Sequence, residues 1–132
     1  MNFKRYFAAS IAIFFIFGLV DFIFDFFILT PINNTLKAVW RQETIIWLEP
    51  VLYMYTAFLF VYIFASLYRS KSVREGLVFG MVIGLLMSGI LSFKQYALYP
   101  IPFTLAVIWF TEGMIQYILA GITMALIYRP KS

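Results

Sequence analysis

The chain has 132 residues, of which 64% are hydrophobic and 12% charged, with a net charge of +4. A soluble domain this small cannot hide so much apolar surface, so the solvent for most of the chain is lipid. It contains no cysteine or histidine. That excludes disulfides, thiolate or histidine metal sites, His-ligated haem and any Ser–His or Cys–His catalytic pair.

The first apolar run covers about Phe7 to Leu29. Lys4 and Arg5 precede it, as in a secretory signal, but the run is longer than the roughly 7–15 residues of a signal core and carries two acids. It is expected to span the membrane. The connection "TPINNTLKAVWRQET" is too polar to cross. Ile32, Leu36, Val39 and Trp40 recur in it at helical spacing, so it is either a short interfacial helix or an ordinary loop. The second run covers about Ile45 to Tyr68, the third about Gly76 to Phe93, and the fourth about Pro102 to Tyr128. Each is close to the ~20 residues a helix needs to cross a hydrocarbon core. The connection "KQYALYPIPF" is short and stiffened by Pro100 and Pro102. The expected fold is all-α: one domain over 1–132, an integral-membrane four-helix bundle with up-down-up-down topology.

Positions of the cations set the expected orientation. Lys4, Arg5, Arg69, Lys71, Arg74, Arg129 and Lys131 share one side, against Lys37, Arg41 and Lys94 on the other. This predicts both termini in the cytoplasm and a multi-pass location in the cell inner membrane. The basic residues form short flanks, so the expected partner is the bilayer and not nucleic acid.

Packing is legible in the third span. Gly76, Gly80, Gly84 and Ser88 recur at every fourth position in "GLVFGMVIGLLMSGI". They form a small-residue stripe along which another helix can approach closely. The stripe serves packing within the monomer or a homo-oligomer interface. Gly113 and Gly121 in the fourth span have a similar character. Tyr53, Tyr55, Tyr62, Trp40 and Trp47 are expected at the lipid interface or in packing.

Function concentrates on acids in the spans. Asp21 and Asp25, in "GLVDFIFDFF", are four residues apart and share a helix face. The fourth span carries Glu112 and Gln116, again four apart. Glu49 opens the second span, and Lys94 and Gln95 close the third. With the topology above, these polar residues converge on one level toward the outside. Ionisable groups inside a span are costly and usually mark function. The pattern predicts an outward-facing acidic pocket of Asp21, Asp25, Glu49 and Glu112, with Gln116, and with Lys94 and Arg41 as cationic partners. Like charges repel and burial disfavours the charged form, so a proton is expected somewhere among Asp21, Asp25 and Glu112. The pocket suits binding or proton-coupled transport of a cation or small molecule. The same acids also suit interhelical glue, or the grip of an accessory subunit on a larger membrane complex. No nucleophile–base pair or metal set can be assembled, so no enzyme or metal is expected; no cofactor is expected either, the alternative being a quinone or porphyrin slot lined by Tyr53, Tyr55, Tyr62, Trp40 and Trp47.

The whole chain resembles a loose group of small uncharacterised bacterial membrane proteins with four predicted spans. The resemblance rests on "VDFIFDFFIL", "REGLVFGMVIGLLM", "YPIPF" and the terminal "YRPKS". It implies the fold and topology alone. In such sequences the position of Asp25 often holds histidine; this chain departs there, which weakens a metal-binding reading. The small multidrug transporters are similar in size and layout, with a single carboxylate in the first span, and their motifs are not matched.

Overall fold

A computed structural model of the chain describes residues 3–39, 45–67 and 72–128. All regular structure among them is helical. Four helices are long and apolar enough to cross a membrane: α1 (Phe3–Asn34), α2 (Leu48–Leu67), α3 (Val73–Leu98) and α4 (Phe103–Ile127). Large apolar side chains such as Phe15, Leu19, Phe22, Leu86 and Ile90 point outward. In water this would be untenable, and in a bilayer it is the surface that lipid covers. The protein is a multi-pass membrane protein.

The helix ends differ from the hydropathy pattern, each for a local reason. α1 continues past Leu29 to Asn34, through Pro31. A proline ring crowds the carbonyl four residues back and offers no N–H. The chain accommodates it with a π-helical turn at Asp25–Leu29. There the Asp25 carbonyl accepts from both the N–H and the hydroxyl of Thr30, the latter at 2.5 Å. Residues 35–39 then follow as turns, and Leu36 and Val39 pack on Leu29, Ile101 and Leu105. Through Val39 the polar connection is therefore a strap against the start of α4. Trp40 and Arg41 lie outside the described residues, as do Arg69, Lys71, Arg129 and Lys131.

α2 starts at Leu48 after a turn, with Pro50 in its first turn, where a missing N–H is harmless. α3 starts at Val73, earlier than its apolar run. Ser72 caps it by accepting from the Glu75 N–H at 3.2 Å, so the polar "VRE" becomes helical. A second π-helical turn occupies Leu85–Gly89, and the helix runs on to Leu98, just before Pro100. Pro102 immediately precedes α4.

Neighbouring helices are antiparallel. α3 and α4 are in backbone contact at Gly76, Gly80 and Gly121. A carbon added to Gly80 would overlap the Tyr117 carbonyl oxygen, and one on Gly76 would lie 2.6 Å from Ala125 Cβ. Further along, Gly84 faces Met114 and Tyr117, and Ser88 fills the space left by Gly113. The small-residue stripe thus lies against α4 within one chain. α1 packs between α2 and α4, with Tyr6 Oη donating to the Phe58 carbonyl at 2.9 Å.

The helices therefore stand in the order α2–α1–α4–α3. α2 and α3 meet across a wider seam through rings: Phe60 on Phe79 at 4.8 Å and Phe64 on Phe79 at 5.6 Å between centroids. Ala9, Ile13, Val61, Phe64 and Met124 fill the core at the end near the termini. At the opposite end, where Asn34, Leu48, Leu98 and Phe103 lie, the core is thinner, and here the seam opens.

Candidate functional site

The cleft at the loop end has two adjoining lobes of about 420 and 440 Å³. Asp21, Glu49, Trp109 and Glu112 line both. The inner lobe lies in the α2–α3 seam, bounded by Tyr53 on α2, Ser88, Ser92 and Gln95 on α3, and Gln116 on α4. The outer lobe runs along α1 past Asp25 and Asn33.

Asp21 shares the inner lobe with Glu112, Glu49 and Tyr53. Tyr53 Oη donates to Glu49 Oε1 at 2.7 Å. That bond joins residues four apart on α2, so helix geometry alone brings them together. Glu112 is the buried member, with 6% of its surface exposed. Gly113 beside it admits Ser88, which draws α3 up against the Glu112 turn. Gln116, one turn further, donates from Nε2 to the Phe17 carbonyl at 3.0 Å and ties α4 to α1 just below Asp21.

An ionised carboxylate can only accept hydrogen bonds. Asp21 and Glu112, when both ionised, therefore cannot hydrogen-bond each other. Among the described residues, no three acidic groups are arranged to ligate one metal ion.

The structure thus gathers Asp21, Glu49, Glu112 and Gln116 on the wall of the inner lobe, and brings Asp25 together with Asp21, Glu49 and Glu112 on the outer one. Asp25 is exposed and Asp21 half-buried, although they sit four apart. The π-helical turn starts at Asp25, so the regular face ends there. Lys94 is a correction: it is exposed and lines neither lobe. On α3 the cleft face carries Ser88, Leu91, Ser92 and Gln95. Lys94 lies roughly 100° round the helix from that face. Arg41, the other expected cation, lies outside the described residues.

The lining residues not singled out from the sequence as pocket candidates include Trp109, Ser92, Asn33 and Tyr53. The signal existed for three of these. Trp109 precedes Glu112 by three residues, Ser92 follows Ser88 by four, and Tyr53 follows Glu49 by four, all helical spacings that share a face. Asn33 had none, because its place depends on the helix continuing through Pro31.

The chain matches no known protein family, no curated protein and no solved structure.

Proposed function

We propose that this is a small non-catalytic protein of the cell inner membrane that binds protons or a small cation in an outward-facing acidic cleft, as a transporter or binding protein. The observation that carries the reading is the meeting of Asp21, Glu49 and Glu112, from three different helices, in one open cleft. Acids used only as glue have no need of a lobe of about 420 Å³ beside them. The orientation rests on the cation asymmetry of the sequence, with both termini cytoplasmic. Reporter fusions at Lys131 and Asn34 are expected to report opposite sides. A periplasmic C-terminus would turn the cleft inward.

The test of the site is ligand-dependent stability in lipid nanodiscs, with tetramethylammonium as the probe. A ligand that binds only the folded state raises the unfolding midpoint by mass action. Asp21→Asn and Glu112→Gln are expected to keep the fold and lose that rise. If both variants are strongly destabilised and the wild type shows no cation effect, the acids are interhelical glue.

One observation favours a second reading, a non-catalytic accessory or assembly subunit of a larger membrane complex. Asp25 is exposed at the rim of the outer lobe, where a partner helix could reach it. Co-purification with a larger membrane protein in mild detergent, lost on Asp25→Asn, would support that role.

A further inference from the structure

A third cavity, of about 240 Å³, lies in the same α2–α3 seam, on the side of the acidic cleft away from the loop end. Its walls are apolar: Leu59 and Ile63 with Thr56 on α2, and Ile83 and Leu86 on α3. Met87 and Tyr117 line both this groove and the acidic inner lobe. They are the partition between the two. Tyr117 is held by rings on either side, Phe17 at 5.4 Å and Phe60 at 5.8 Å between centroids. Met87 is half free, with 39% of its surface exposed, and its unbranched side chain can change rotamer readily. The seam is continuous because α2 and α3 are the two outer helices of the row and make no close backbone packing with each other.

Polarity along the seam therefore runs from carboxyls at the loop end to hydrocarbon further in. A single-chain amphiphile in a bilayer leaflet has the same order of headgroup and tail. We propose that the cleft's ligand is a cationic amphiphile, its ammonium-type headgroup among Asp21, Glu49 and Glu112 and its alkyl tail in the Thr56–Leu86 groove, entering sideways from the membrane past Met87. The charge complementarity sits at one end and the apolar lining at the other, so neither a hydrophilic cation nor a neutral lipid uses both. This deepens the cation-binding reading above and rests on it.

The experiment is photolabelling in nanodiscs with an alkyltrimethylammonium carrying a diazirine near its tail end, mapped by peptide mass spectrometry. Labels are expected on Tyr55–Ile63 and Ile83–Met87, lost under excess tetramethylammonium and lost in Glu112→Gln. A neutral alcohol with the same tail is expected to label the whole lipid-facing surface, insensitive to tetramethylammonium. Thr56→Trp fills the groove without touching the acidic lobe. It is expected to abolish the seam labels while leaving the tetramethylammonium-dependent stabilisation intact. The amphiphile inference is overturned, and the cation reading survives, if tetramethylammonium stabilises the protein but seam labels ignore it or match those of the neutral alcohol. If tetramethylammonium stabilises nothing and seam labelling survives Glu112→Gln, the cation reading itself has failed and the groove holds ordinary lipid.

Discussion

Replacing Gly80 tests the contact on which the α3–α4 pairing depends. A carbon on Gly80 would overlap the Tyr117 carbonyl oxygen and sit 3.0 Å from the Tyr117 carbonyl carbon and 3.1 Å from Ile118 Cα. All three are backbone atoms, so no rotamer change relieves the clash and the helices must separate. Separation also loosens Gly76 against Gly121, one turn away. Overpacking of this kind costs about 1–3 kcal/mol. Helix propensity acts the other way, favouring alanine over glycine by about 1 kcal/mol. Gly80→Ala is therefore expected to lose up to ~2 kcal/mol, and Gly80→Leu, with three more carbons to house, still more. Gly18 supplies the matched control, because a carbon added there meets nothing within 4 Å. Gly18→Ala should be neutral or stabilising by up to ~1 kcal/mol. Reversible unfolding in mixed micelles, following helicity against denaturing detergent fraction, measures all three variants. The reasoning is refuted if Gly80→Leu unfolds with the wild type, or if Gly18→Ala loses as much as Gly80→Ala.

Two further outcomes follow from the geometry. Gly113→Ala places a carbon against Ser88, 2.7 Å from its Cβ, so it should destabilise the fold alone and be relieved by Ser88→Gly; a double-mutant cycle should return a coupling of about 0.5–3 kcal/mol, and simple additivity would mean that the two residues do not touch. Ser72→Ala removes the acceptor for the Glu75 N–H, and is expected to cost about 1 kcal/mol and to speed amide exchange in the first turn of α3, with unchanged exchange there counting against the cap.

Membrane residence and the number of crossings needed no tertiary information. Four long apolar runs separated by polar or proline-bearing connections admit few alternatives, because lipid tolerates only internally satisfied backbone. The fourfold spacing of Gly76, Gly80, Gly84 and Ser88 determined that they share a face, and the same rule put Asp21 with Asp25, Glu112 with Gln116, and Glu49 with Tyr53. These are properties of one helix at a time, readable wherever the helix is regular. Where it is not, they fail. The π-helical turns at Asp25–Leu29 and Leu85–Gly89 are invisible to a period of 3.6, and the first of them ends the regular face at Asp25. Capping by Ser72 and passage through Pro31 moved helix ends by several residues because each depends on local hydrogen bonds that hydropathy does not register. Lys94 went astray for a simpler reason: depth in the membrane was legible, but the face of α3 that turns to the cleft depends on its close packing with α4. Tertiary structure alone decided which helices are neighbours. Backbone contact at the glycines binds α3 to α4, and α1 lies between α2 and α4, leaving α2 and α3 apart with a seam filled by rings at one end and lined by carboxyls at the other. Side-chain volumes on four separate helices set that gap, and no pattern along a single helix contains it.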